Sequence, residues 1–162
     1  DGWWDWSDNA RLAWEVMESG HGDSRWAMQF DFNVDAGGSG GIGVNFAADP
    51  AWADAAGISF FWRADPPGLP VTFALAVQDP TQPDAGPSDA APFEVTVQTG
   101  GQDWTQVTIP WAKLVKAEWF GDAGADTFDP ANVIWLAFSV GTWDQPEQGV
   151  IWIDDIRLVP AG

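Results

Sequence analysis

Alternation is the feature that constrains this chain most. In WAMQFDFNV, Trp26, Met28, Phe30, Phe32 and Val34 fall on one side, and Ala27, Gln29, Asp31 and Asn33 on the other. A period of two marks a strand with one face in a core and one in solvent, and it does not fit the 3.6-residue period of a helix. The signal recurs in IGVNF, ISFFWRAD, VTFALAVQD, FEVTV, WTQVTIP, VIWLAFSV and VIWIDDIRL. With an opening strand near AWEVME, nine strands are expected. Turn-forming clusters separate them: PPG (66–68), PTQPDAGPSDAAP (80–92), GG (100–101) and DQPEQG (144–149). GGSGG (37–41) reads as a flexible turn between two strands. Only 49–57 and 110–119 could hold a helical turn. The expectation is an all-β chain, a two-sheet antiparallel β-sandwich of the jelly-roll type.

The 162 residues suit one domain, 1–162, with a sizeable core. Six Lys and Arg stand against 24 Asp and Glu, a net charge of −18. Nucleic-acid binding requires a basic footprint, and this chain has none. Anionic membranes and anionic polysaccharides are repelled for the same reason. A neutral partner or a cation such as calcium remains compatible. No apolar run approaches the roughly 18 residues of a membrane span. With no cysteine, disulfides, thiol catalysis and thiolate metal sites are excluded.

Several segments, read in order, carry a resemblance. They are ISFFWRAD, FALAVQD, DWTQVTIPWAKL, FDPANVIWLAFSV and IWIDDIRLV. From about residue 12 to 159 the chain resembles the galactose-binding-like β-sandwich carbohydrate-binding modules of bacterial polysaccharide hydrolases, families 4, 11, 22 and 30. Its most specific parts are the W-x-x-V-x-I-P-W strand and the terminal I-D-D-I-x-L strand. The resemblance implies a non-catalytic module that binds a neutral plant or microbial polysaccharide, with β-1,4- or mixed-linkage β-glucan (cellulose-type chains) first. It also implies an attached catalytic domain in a secreted or cell-surface parent enzyme. Such modules usually begin with an Asp-Asp-Phe-Glu strand, which is not seen here.

Jelly-roll order places WAMQFDFNV, ISFFWRAD, WTQVTIP and VIWIDDIRL in one sheet. IGVNF, VTFALAVQD, FEVTV and VIWLAFSV form the other, whose outer face carries the glycan groove in such modules. Alternation turns Gly43, Asn45, Thr72, Ala74, Ala76, Gln78, Glu94, Thr96, Gln98, Trp135, Ala137 and Ser139 outward there, and Ile134, Leu136, Phe138 and Val140 inward. Small residues make a floor, Asn45, Gln78 and Glu94 supply polar groups, and Trp135 supplies an aromatic platform. A flat ring stacks on the C–H face of a sugar, while amides and carboxylates meet its hydroxyls. The loop residues Trp52 and Trp143 are expected at the two ends of this groove, and Trp119 is a further loop candidate. Trp4 and Trp6, alternating in WWDW, are expected to wall it. Trp14, Trp26, Trp62, Trp104, Trp111 and Trp152 are expected in the core.

The resemblance further implies a structural calcium held by Asp154 or Asp155 with the GHGDS loop (20–24), at Gly22 and Asp23. The alternative is that one aspartate pairs with Arg25 or Arg157. A glycosidase needs two carboxylates flanking one bond, and the E-x-D-x-E string of jelly-roll endoglucanases is absent. Two other readings stay open: an interaction domain without a glycan ligand and, last, a glycoside hydrolase.

Overall fold

A computed structural model describes residues 2–82, 84, 86–142 and 144–162. The strands are β1 (Trp3–Met17), β2 (Ala27–Asn45), β3 (Ala55–Asp65), β4 (Pro70–Val77), β5 (Ala91–Gln98), β6 (Thr105–Pro110), β7 (Val115–Lys116), β8 (Val133–Val140) and β9 (Glu147–Pro160). The helical turns among the described residues are short 3-10 turns, including Pro50–Asp54, Trp111–Lys113 and Glu118–Phe120. Every strand pair is antiparallel, in the order β6-β3-β9-β2-β8-β4-β5-β7, with β1 beside β2. The sorting of strands into two sheets agrees with the expected jelly-roll order.

The glycine run differs from its expected role. GGSGG lies inside β2, which is a single strand of 19 residues. Met28–Val34 pairs with β9 in one sheet, and Gly40–Asn45 pairs with β8 in the other. Residues 35–39 are therefore a corner rather than a turn. Gly37 adopts φ 79°, and a Cβ on Gly38 would stand 2.5 Å from the Asn9 carbonyl oxygen. Only glycine tolerates both demands. On β1 the ladder shifts between Asp8 and Ala10, with Asn9 at φ 48°. Both strands thus bend together from one sheet into the other.

The core lies between the sheets. Phe60 on β3 meets Phe138 on β8 edge-to-face at 5.2 Å and Phe73 on β4 at 5.6 Å, and Phe73 lies 5.3 Å from Phe138. Each such pair adds about 0.5–1.5 kcal/mol beyond simple burial. Trp62 is fully buried, and Trp14 and Trp111 pack against this core.

Three tryptophans depart from the expected core. Trp26 is 46% exposed, with the Arg25 guanidinium 4.9 Å over its ring, because β2 begins only at Ala27. Trp152 faces outward. Val150 to Ile153 are all apolar, so alternation alone left the parity open, and Ile151 and Ile153 take the buried positions. Trp104 also lies outside the core cluster, 5.1 Å from the Arg63 guanidinium, which contacts the Trp152 ring at 4.6 Å.

Phe138→Ala should cost about 3–5 kcal/mol of unfolding free energy, because it removes the ring shared by both sheets. Urea denaturation measures it. A loss below about 1 kcal/mol would show that this cluster does not join the sheets.

Candidate functional site

The outer face of the β1-β2-β8-β4-β5-β7 sheet is concave and encloses about 880 Å³. Cross-strand pairing lays its residues out in rows. One row runs Trp4, Gly43, Ala137, Ala74, Glu94. The next runs Trp6, Gly41, Ser139, Thr72, Thr96. A third runs Asn45, Trp135, Ala76, Pro92. Four strand spacings separate the ends of the first row, roughly 19 Å along the sheet.

WWDW forms one wall. Strand alternation turns Trp3 into the core and Trp4 and Trp6 onto the concave face. Each outward indole lies across a glycine of the neighbouring strand. A Cβ on Gly43 would meet Trp4 Cζ2 at 2.5 Å, and a Cβ on Gly41 would overlap the ring of Trp6. A ring laid over a cross-strand glycine supplies the contacts which that glycine lacks. Gly43 is therefore the seat of an indole and not open floor, as alternation had suggested. Trp4 Nε1 donates to Asn45 Oδ1 at 2.8 Å, which fixes the tilt of the ring. Trp4 also lies 5.5 Å from Trp6 and 6.1 Å, edge-on, from Trp135.

Trp135 is half-buried. It covers Ala76, packs with Ala90 and Ile134, and donates Nε1 to the Pro87 carbonyl at 3.1 Å. Ile134 is the extra residue of a bulge, since Ala76 pairs with Trp135 while Val77 pairs with Val133. The bulge sends Val133 into the main core and moves Ile134 out of it, against the alternation expected for β8.

The opposite wall comes from β5 and the segment after β7. Glu94 is half-buried, and Trp119 Nε1 reaches Glu94 Oε2 at 3.4 Å. Trp119 is 71% exposed, and Phe120 lies 5.8 Å from it. This second wall has little signature in the sequence. β7 is two residues long, too short to read as a strand, yet it anchors the segment by pairing Val115 with Glu94 and Lys116 with Phe93.

The other expected site residues go elsewhere. Trp52 stacks between Phe46 at 5.2 Å and Trp111 at 6.2 Å, packed against the core and outside the concavity. Asp49 caps the helical turn that carries Trp52, accepting a bond from Ala51 N at 2.9 Å. Gln78 follows the end of β4 and does not line the concavity. Its backbone N–H binds the Asn132 carbonyl at 2.9 Å. Trp143 lies outside the described residues.

Asp154 and Asp155 pin the 18–26 segment with protein donors. Asp154 Oδ2 accepts from His21 N at 2.7 Å, and Oδ1 accepts from Asp155 N at 2.7 Å and Ser24 Oγ at 3.2 Å. Asp155 Oδ1 accepts from Arg157 at 2.7 Å, and its other oxygen lies 3.4 Å from His21 Nδ1. The hydrogen bond from Arg157, then the one from His21, hold the Asp155 carboxyl below its ordinary value against the opposing effect of desolvation. His21 stacks on Phe61 at 3.6 Å. Gly22 and Asp23 are exposed and donate nothing to either carboxylate among the described contacts. Calcium needs six to eight oxygens, whereas these carboxylates are turned to N–H, O–H and guanidinium donors. The described residues contain no group of three acidic or histidine side chains that could hold a metal. Protein donors thus meet both aspartates and tie the 18–26 segment to β9.

Solved structures share this architecture. A family 11 carbohydrate-binding module of the cellulosomal cellulase Lic26A-Cel5E of Clostridium thermocellum superposes with a TM-score of 0.79 at 17% identity, over 99% of this chain and 88% of that one. A family 11 module from the same organism, in complex with a β-1,3-1,4-mixed-linked tetrasaccharide, gives 0.79 at 17% identity, over 99% and 89%. The family 30 module of its cellulase Cel9D-Cel44B gives 0.69 at 14%, over 98% and 91%. The fold is that of these carbohydrate-binding modules. No protein-family model and no curated protein matches the sequence, so the likeness lies in the shared module fold. That module fold also occurs inside a β-1,2-glucanase from Parabacteroides distasonis, where this chain covers 23% of the enzyme.

Two outcomes test the site. Gly43→Ala should lift the Trp4 ring, shift its indole N–H resonance and cost about 1–3 kcal/mol, while an unmoved resonance refutes the seat. Asp154→Ala should destabilise by about 1.5–3 kcal/mol, while a chelator leaves the wild-type melting midpoint in place. A midpoint raised by calcium would count against protein donors as the tether.

Proposed function

We propose that this chain is a non-catalytic module that binds a neutral β-linked glucan along the concave face and thereby brings an attached hydrolase to its substrate. The observation that carries this reading is the row Trp4–Gly43–Ala137–Ala74–Glu94, in which Ala137 and Ala74 form a low floor between the indole seated on Gly43 and a carboxylate. Trp4, Trp6, Trp135 and Trp119 offer aromatic surface to pyranose C–H faces. Asn45, Ser39, Thr72, Ser88 and Ser139 line the same space with amide and hydroxyl groups for sugar hydroxyls. β-1,4- or mixed-linkage glucan is preferred, since one family 11 neighbour is seen with a mixed-linked tetrasaccharide. Such polymers are met outside cells, which fits a secreted or cell-surface parent protein.

Catalysis lacks its second group. Glu94 alone of the acidic side chains lines the concavity among the described residues, and glycoside hydrolysis uses a pair of carboxylates. Tethering acts instead through effective concentration.

Affinity electrophoresis in gels of barley β-glucan, hydroxyethylcellulose, xylan and mannan tests the reading. Retardation by β-glucan is expected, weakened at least about tenfold in Trp119→Ala and in Trp4→Ala. Trp119 is so exposed that its removal leaves the core untouched. Unretarded migration in all four gels would refute glycan binding, and release of reducing sugar by the chain alone would refute the non-catalytic assignment.

A further inference from the structure

We infer that the groove also carries a subsite for a protonated amino group at Glu94, so that it takes a β-1,4-linked glucosamine chain more tightly than the neutral glucan. This rests on the reading of the concave face as a glycan groove. Glu94 is the single charged side chain among the described lining residues, and no Lys, Arg or His joins it there. The ion pairs among the described residues leave it out: they link His21 and Arg157 to Asp155, Arg25 to Glu18, and Lys116 to Asp126. Lys116, on the adjacent strand β7, stands opposite the core residue Phe93 and extends to Asp126 at 3.3 Å.

A half-buried carboxylate without a cationic partner is an attractive place for a cation. Its described side-chain contact is the neutral indole N–H of Trp119 at 3.4 Å. A carboxylate beside aromatic rings is the chemistry that recognises an ammonium group, through charge, hydrogen bonds and ring quadrupole together. Replacing a sugar hydroxyl by an ammonium keeps the chain geometry and adds the charge. The net charge of −18 draws such a polymer toward the surface but does not place it in the groove.

Calorimetric titration compares cellohexaose, the β-1,4-linked glucosamine hexamer and its fully N-acetylated form, at about 20 mM and about 500 mM salt. The glucosamine hexamer should bind about tenfold more tightly than cellohexaose at low salt, and the N-acetylated form should lose that preference. Glu94→Gln should bring the ratio of the two affinities to about one. Glu15→Gln, exposed on the other sheet, should leave the ratio at its wild-type value. A wild-type ratio near one overturns the inference and leaves the glucan reading standing. A tenfold preference that survives in Glu94→Gln overturns the assignment to this residue. Failure of all three oligomers overturns both readings together.

Discussion

The pairing of β1 with β2 is the interaction on which the rest depends. β2 passes without interruption from one sheet to the other, and β1 follows it through the same bend. The core half of this ladder carries Leu12 opposite Phe32 and Trp14 opposite Phe30. The other half carries Trp6 opposite Gly41 and Trp4 opposite Gly43. One continuous ladder therefore joins the sheets and also builds a wall of the concavity. Alternation divides the tryptophans of WWDW between the core and that wall.

Much of this was legible in the sequence, because side-chain alternation reports burial directly. The strands and the outward positions of Trp135, Ala137, Ser139, Ala74 and Glu94 follow from a period of two, and the strands' division between two sheets from the jelly-roll order that the resemblance implies. What was not legible came from places where the period breaks. The bulge at Ile134 moved residues that regular alternation had assigned. Four consecutive apolar residues, Val150 to Ile153, hid the parity of Trp152. GGSGG (37–41) reads as a turn because a corner and a turn make the same demand on backbone and space. Trp52 was misplaced for a different reason: an exposed loop and a loop that folds onto the core have the same composition.

The face opposite the concavity shows how the fold uses its few cations. Arg63 is held between the rings of Trp104 and Trp152, while Arg157 meets Asp155 beside the stacked His21 and Phe61. Each of these groups closes the 18–26 segment onto the outer sheet, where Ser19 also binds Arg63 at 2.7 Å. Oppositely charged and aromatic partners are thus gathered on one face, and among the described residues the concavity is lined by one carboxylate, Glu94, among uncharged groups. The distribution of charge, more than its total, distinguishes the two faces.

The position of the tryptophan wall along its ladder has a dynamic consequence. The ladder starts at Met17 and Ala27, closest to the connecting segment, and ends at Trp3 and Val44, 41 residues apart in sequence. Trp4 and Trp6 lie at the open end of an edge strand, where ladders fray most readily. The two rings seated on Gly43 and Gly41 are what holds that end shut. Anything that presses those indoles against the sheet also clamps this end of the ladder, and anything that opens that end lowers the wall, so occupancy of the groove and closure of the ladder's end are two readings of one equilibrium.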